Sequence, residues 1–394
     1  MKKVMKIIGI LSLISQNNLY AKDQNDIWIT IDPDATDALV EIQAETVQWL
    51  SNSSYLVAKI NNDDRETLSK IMHEKHHRCG GFIAHNHFIS IINNFMHEKQ
   101  PALFHAPEEM KQQDIIANGL TRLSSDNIKM HIEEISSEKT RYHRSKTGKQ
   151  FPPKLLHKFR QYGENYENLP IKYSTITHQA TPQESVMVHI KGKTQPNKYI
   201  VIGAHLDSIN VYNTQQDAPG ADDDASGLAV ILEIFKQFID DGQPDKSVIF
   251  FGYAAEEVGL VGSSEIARLA QMKDIDIEGV LQFDMTNHPN GNKDIYFVTD
   301  YTNHEMTKYL QSLLDYYMPH IKHSTTQCGY ACSDHASWYF EGFPSAMPFE
   351  SDFTSYNQNI HTRYDTLENS DSTAKHALNF ASLGYLFTTE MARN

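Results

Sequence analysis

Five short apolar runs, SVMVHI, KYIVIGAHL, SVIFFGYAA, GVLQFDM and DIYFVTD, follow one another between residues 185 and 300. Each is long enough for a strand and too continuous for one exposed face. Segments of helical period separate them: GLAVILEIFKQFIDDG, then GSSEIARLAQM, whose leading serines predict an N-cap. Upstream, NIKMHIEEISSE sets Ile128, Ile132 and Ile135 on one face, with Asp126 as the expected cap. YTNHEMTKYLQSLLDYYM and the C-terminal TAKHALNFASLGYLFTTEMA complete the helices. Apolar strands alternating with helices require an α/β sheet covered on both faces.

In such sheets reactive groups gather at the carboxyl ends of strands. Here KYIVIGAHLDS ends on His205 and Asp207, SVIFFGYAAEE on Glu256 and Glu257, and GVLQFDMTN on Asp284. APGADDDASG contributes Asp222, Asp223 and Asp224 before a helix, and SYNQNIHTRYDT places His361 in a loop. Singly, each has a plain explanation: an acidic run caps a helix and matches its dipole, and a glutamate doublet opens a solvated helix. Three successive strands ending in carboxylate or imidazole demand more. Buried anions that converge repel one another unless cations stand between them. Two divalent metals ~3.5–4 Å apart meet that need, with one carboxylate bridging. The doublet can then divide its work, one side chain on metal and the other free for proton transfer.

A formal charge of −15 argues against nucleic acid or anionic membrane as the main partner. A length of 394 residues suits two folding units. The N-terminus reads as a targeting signal over residues 1–21. MKKVMK is its basic start, IIGILSLIS its apolar core, and Leu19 and Ala21 occupy the positions a signal peptidase reads. That apolar core is far shorter than the ~20 residues of a membrane span. The chain is therefore expected to be secreted, where disulfides form. There are three cysteines, and Cys328 and Cys332 in CGYAC are close enough to close a small loop, which leaves Cys79 over.

Residues 22–106 read as a separate small α/β unit. WITIDPDATDALVEI suggests a strand and a helix, RETLSKIMHEKHH a helix stopped by Gly80-Gly81, and FIAHNHFISII a strand. This unit contains a literal H-E-x-x-H at His73, Glu74 and His77. Two histidines four apart on a helix can hold zinc, with the glutamate as base. In the longer metzincin pattern the third histidine falls on Ile83, which cannot ligate, although Glu98 is a possible third ligand. The better reading is surface helix histidines, with the chemistry elsewhere.

The stretches GAHLDS, APGADDDASG, YAAEEVGLVGS, DMTN, CGYACSDHASW, AMPFES and IHTRYDTLENSD, in this order, resemble the secreted bacterial leucyl aminopeptidases. The resemblance covers residues 107–394. It implies a mixed, mostly parallel central sheet between helices, preceded by a prosegment at 22–106 that assists folding and inhibits until removed. It implies two zinc ions, with Asp223 bridging, Glu257 and His361 on one and His205 and Asp284 on the other. Glu256 would be the general base, and Asp207 would orient His205 from behind. Asp223 and Asp224 would be joined by a cis peptide that aims Asp223 at both metals, and Tyr330 would help stabilise the oxyanion. The specificity pocket would be formed by Met285, Val298, Cys328, Cys332, Phe349, Phe353, Tyr356 and Ile360, which favours leucine or an aromatic residue.

The expected substrates are peptides with a free N-terminus. The expected partners are the chain's own prosegment and a processing protease, and a monomer is expected. Asp352 in FESDF keeps open an alternative preference for N-terminal Lys or Arg. A related zinc exopeptidase or amidohydrolase, such as a carboxypeptidase or glutaminyl cyclase, is the other alternative. A non-catalytic module on the same fold would lack ligands, and none is missing.

Overall fold

The computed structural model describes residues 26–46, 55–78, 80–85, 88, 91–92 and 103–394. The expected signal at 1–21, Cys79 and Glu98 lie outside the described residues.

The N-terminal unit is an antiparallel sheet of β1 (Asp26–Ile31), β2 (Glu45–Thr46), β3 (Leu56–Asn61) and β4 (Phe82–His85), ordered β2-β3-β1-β4. Helices Thr36–Glu41 and Arg65–Ile71 follow β1 and β3. The helix expected through HEKHH departs from the prediction. It is α-helical only to Ile71, widens into a π turn over Met72–His76, and stops where His77 turns left-handed at φ 52°.

This unit shares a core with the rest of the chain. Ile29, Leu68, Met72 and Phe82 pack with Tyr142, Ala255, Val258 and Val261. Ala84 N–H donates to the Gly259 carbonyl (3.0 Å), and the Ser264 hydroxyl donates to the Ala84 carbonyl (2.9 Å). Buried Arg65 donates to the Ala180 carbonyl at 2.8 Å.

His85, at the end of β4, lies in this seam with its ring 5.1 Å from that of Phe340 and its Nε2 3.0 Å from the Thr30 hydroxyl. Burial, reinforced by the Arg268 charge, takes its pKa down to about 3. A depressed histidine leaves the unfolded chain to bind the proton first. The stability tied to a neutral His85 is therefore present above pH ~6.5 and is lost as pH falls toward 3. At pH 5 the loss is about 2 kcal/mol. We expect the urea midpoint of His85→Phe to fall less than that of the wild type between pH 7 and pH 5.

The second unit carries β5 (Ile171–Ile176), β6 (Ser185–Ile190), β7 (Gln195–His205), β8 (Lys246–Tyr253), β9 (Asp276–Gln282), β10 (Ile295–Val298), β11 (His323–Thr326), β12 (Ser345–Ala346) and β13 (Pro348–Phe349). Its main sheet runs β12-β9-β7-β8-β6-β5. β7 is parallel to β8 and β9, and β12 is parallel to β9, while β6 and β5 run antiparallel at one edge. The mixed, mostly parallel sheet is thus present.

Alternate residues of β7 enter opposite cores, as a two-sided sheet requires. Ile200 and Ile202 join the cluster that includes Leu228, Phe235 and Phe387, from helices Ala225–Asp240 and Lys375–Ala392. Val201 joins Ile266 and Trp338, from helices Val261–Met272 and His335–Phe340. A smaller sheet, β11-β10-β13, stands beside it.

Two caps differ from expectation. Helix Ser125–Ser136 is capped by Ser124, whose extended backbone lets its hydroxyl accept the Asn127 N–H (3.3 Å), so Asp126 falls in the first turn. Helix Val261–Met272 has no side-chain cap. It is entered through the turn in which the Gly259 and Leu260 N–H groups return to the Glu256 carbonyl (3.0 and 2.9 Å), so Ser263 and Ser264 sit inside it. Among the described residues, no helix is long and apolar enough to cross a membrane.

Candidate metal centre

The polar ends of β7, β8 and β9 meet at one point above the sheet. His205 is the last residue of β7, Glu256 and Glu257 lie just past β8, and Asp284 lies just past β9. Asp223 arrives from the loop before helix Ala225–Asp240, and His361 from the loop after β13. Among the described residues two sets of potential metal donors converge: His205, Asp223 and Asp284, and His73, Glu257 and His361.

Asp223 joins the two sets. Its Oδ1 is 2.9 Å from His205 Nε2, and its Oδ2 is 2.9 Å from His361 Nε2. His205 Nε2 stands 3.6 Å from Asp284 Oδ1, and His361 Nε2 stands 3.2 Å from Glu257 Oε2. Donors held ~2.0–2.2 Å from a tetrahedral ion lie roughly 3.3–3.6 Å from each other. The His205–Asp284 contact has that spacing, the His361–Glu257 contact is slightly shorter, and the two 2.9 Å contacts of Asp223 are at ion-pair length, so each set needs only a small outward shift to take an ion. Asp284 Oδ1 and His361 Nε2 are buried without a hydrogen bond, as donors reserved for a cation would be.

The backbone is bent to bring these groups together. Ala255, Met285 and His361 all take left-handed φ, at 56°, 55° and 58°. Such conformations for residues other than glycine gather at functional sites. The Asp223–Asp224 peptide is cis, as the resemblance implies. The middle aspartate alone faces the centre. Asp224 caps the following helix through Gly227 N–H (2.9 Å) and accepts the His205 N–H (2.9 Å), while Asp222 accepts Asn287 N–H (3.1 Å) and the Asn357 amide (2.9 Å). Capping therefore does explain part of the DDD run.

Asp207 sits 3.7 Å from His205 Nδ1, beyond hydrogen-bond length. Its firmer contacts are to the doublet, accepting Glu256 N–H at 2.9 Å and Glu257 N–H at 3.3 Å. One buried carboxylate thus fixes the turn carrying both glutamates and faces the imidazole. The Glu256 side chain is fully buried and outside both donor sets. Burial, opposed by His205 and reinforced by the Glu257 charge, pushes Glu256 well above the ordinary carboxylate range. Glu257 goes the other way: despite burial, the His361 charge holds it well below that range. Burial alone would lower His205, yet the Asp284 and Asp224 charges carry it well above the histidine range. Acids strong enough to charge buried imidazoles make a field that favours a divalent cation.

The eight expected pocket residues form one apolar cluster, joined by Tyr330 and Met347. Met285, Cys332, Phe349, Phe353, Tyr356 and Ile360 line a cavity that opens onto Asp223, Asp284 and His361, while Val298 and Cys328 pack behind it. Tyr330 is on the same wall, and the Cys328–Cys332 disulfide is formed. Asp352 is outside the lining and caps a turn through Thr354 N–H (3.0 Å).

Comparison with known proteins places this geometry. The sequence profile described as peptidase family M28 matches residues 185–386, a little over half of the chain. The chain belongs to peptidase family M28. It is a peptidase, a hydrolase of amide bonds. It is 36% identical over 283 residues to leucine aminopeptidase 1 of Paracoccidioides brasiliensis strain Pb03, covering 68% of this chain and 71% of that one. It superposes on the Legionella pneumophila LapA aminopeptidase with a TM-score of 0.78 at 27% identity, covering 94% of this chain and 99% of the other. For Legionella pneumophila LapB the TM-score is 0.79 at 26% identity, with 94% and 100% covered. Residues 107–394 alone could not supply that coverage, so the N-terminal unit has a structural counterpart there too.

Within this M28 site, several residues were given no role by sequence. Arg141 is fully buried beneath the acids and donates to the Leu206 and Gly220 carbonyls (both 2.9 Å). Asp365 accepts the Asp222 and Asp223 N–H groups (3.0 and 3.1 Å) and so positions the shared carboxylate. Asp334, in the quoted CSDHASW stretch, is buried near His205, and burial pushes it up to about 7. The largest correction concerns HEKHH. His73 is buried, not at the surface, and its Nε2 is 3.5 Å from Glu257 Oε2, while His77 is exposed as expected and lines the cavity.

Proposed function

We propose that this M28 peptidase is a zinc-dependent aminopeptidase that binds two zinc ions and removes a bulky apolar residue, leucine or phenylalanine, from peptide N-termini. The observation that carries this reading is the pair of donor sets joined through Asp223 at the mouth of an apolar pocket. The aminopeptidase name of the 36%-identical relative supports it.

In this reading His205 and Asp284 hold one metal, Glu257 and His361 hold the other, and Asp223 serves both. Zinc bound there supplies Lewis acidity and makes water a better acid. Glu256, excluded from both sets, takes the proton of the attacking water and returns it to the leaving amine. Its burial suits that task, because a carboxylate pushed upward is the stronger base. Asp207 holds Glu256 and Glu257 in place through their backbone N–H groups, and Tyr330 faces the developing oxyanion. The pocket walls Phe349, Phe353, Tyr356 and Met285 receive the N-terminal side chain, and burying leucine or phenylalanine there is worth ~1.5–3 kcal/mol. Lysine gains no ion pair, because Asp352 is turned away.

We further propose that the chain is secreted as a proenzyme, with a signal at residues 1–21, a prosegment at 22–106 and a monomeric catalytic unit at 107–394. The shared core across the seam suits a segment that helps the catalytic unit fold.

The test offers Leu-, Phe-, Lys- and Arg-p-nitroanilides to the processed chain. A kcat/KM for Leu or Phe at least ~10-fold above that for Lys and Arg is expected from the pocket's apolar walls. A preference for Lys would overturn the assigned specificity, and no cleavage of any anilide would overturn the aminopeptidase reading.

A further inference from the structure

The Glu257/His361 donor set has a third member that comes from the N-terminal unit. His73 enters the centre from the π turn, with 2% of its side chain exposed and its ring 4.3 Å from that of His361, edge to face. Its Nδ1 lies 2.6 Å from the Ser69 carbonyl. A carbonyl only accepts, so Nδ1 carries the proton, and the lone pair of the neutral ring is on Nε2. That lone pair points into the centre, where Nε2 makes no hydrogen bond and has Glu257 Oε2 at 3.5 Å. A histidine whose Nδ1–H is tied to a backbone carbonyl and whose Nε2 is bare is arranged as metal-binding histidines are.

The surrounding chain holds it there. The Ser69 hydroxyl donates to the Glu257 carbonyl (2.7 Å), tying the helix that carries His73 to the turn that carries the glutamate. Gly80, at φ 51°, packs its Cα side against Gly259 N and the Glu256 and Glu257 carbonyls, where a Cβ would stand 3.3–3.6 Å from them. Arg78 pairs with both oxygens of Asp34 (2.9 and 2.6 Å) and lies over the Tyr330 ring at 5.1 Å. His77 lines the pocket mouth.

We propose that His73 Nε2 is a ligand of the Glu257/His361 metal in the uncut chain, filling the coordination position that substrate needs, and that removing the N-terminal unit vacates it. This rests on the two-metal proenzyme reading above. Latency is then a metal–ligand bond, with His77 and Arg78 covering the pocket beside it. The bland alternative is a buried histidine that merely packs against His361. It explains the tied Nδ1 but not a lone pair aimed at the Glu257 carboxylate 3.5 Å away.

The test uses the full uncut chain loaded with cobalt(II), and compares wild type with His73→Phe and His73→Cys. Phenylalanine keeps a ring against His361 and removes the ligand; cysteine offers a different one. We expect a thiolate-to-cobalt charge-transfer band in the near ultraviolet only for His73→Cys. For His73→Phe we expect a changed visible cobalt spectrum and metal loss to chelator ~10–100-fold faster or more. Activity is not the readout, because His77 and Arg78 still cover the pocket in these variants. Two bound cobalt ions with no thiolate band, an unchanged spectrum and unchanged loss rate would overturn the ligand assignment and leave the two-metal reading standing. A uncut chain that takes up no cobalt in any variant would overturn both. Should either variant fold poorly, zinc X-ray absorption of wild-type chain before and after cutting decides the matter: one histidine fewer per chain on the metals is expected after cutting, and no change contradicts the proposal.

Discussion

Replacing Glu256 by glutamine is expected to lower kcat on a leucyl anilide by ~10²–10⁴-fold, with both metals still bound. Glutamine keeps the volume and hydrogen-bonding edge of the buried side chain but cannot accept and return a proton. The Asp207 contacts are to the backbone N–H groups at 256 and 257, so they survive the change. KM should move little, because the pocket walls are elsewhere. Metal analysis of the variant alongside steady-state kinetics checks this. Ordinary turnover would remove Glu256 from the base role, and loss of metal would make it a ligand.

Replacing Asp223 by alanine is expected to do more. Asp223 presents one oxygen to the His205 set and the other to the His361 set, so its loss weakens both sites at once. Zinc at a hundred times its Kd stabilises the wild-type fold by about 2.7 kcal/mol per site, worth several degrees in melting temperature for a unit of this size. The variant should show little of that zinc-dependent shift, retain at most one metal, and lose activity. Without metal the difference narrows but keeps its sign. Despite burial and the Glu257 charge, His205 and His361 hold the Asp223 carboxyl below the ordinary range, so the stripped Asp223→Ala variant should melt no higher than the stripped wild type. Melting curves with zinc and with chelator separate these effects from simple misfolding.

Much of this site was legible because strand ends are legible. His205, Glu257 and Asp284 follow apolar runs that can only be buried strands, and the parallel order of β8, β7 and β9 brings those ends together. The pocket was readable only through resemblance, since its walls come from β10, β13 and loops with no shared period. Supporting groups escaped notice because their contacts are distant in sequence: Arg141 and Asp365 hold the acidic loop from far along the chain. The caps at Ser124 and Leu260 were misplaced by a residue or more, as both serine and aspartate suit an N-cap and a turn can replace either.

The surface reading of HEKHH holds for His77, which is exposed, and fails for His73 for a physical reason. On an α-helix His73 and His77 would share a face and stand or fall together as zinc ligands or as surface residues. The π turn over Met72–His76 and the left-handed His77 separate them, turning one toward Glu257 and His361 and the other toward the pocket. Local spacing carries no sign of that. The two histidines of the motif therefore do not converge, and one of them is buried beside Glu257 and His361 instead.

The most direct test of the central claim is the anomalous zinc scattering from crystals of the processed, active chain. The two-metal reading predicts two peaks flanking Asp223, one beside His205 and Asp284 and one beside Glu257 and His361, and leucyl cleavage that chelation abolishes. A single peak, peaks away from these residues, or cleavage that survives chelation would contradict it.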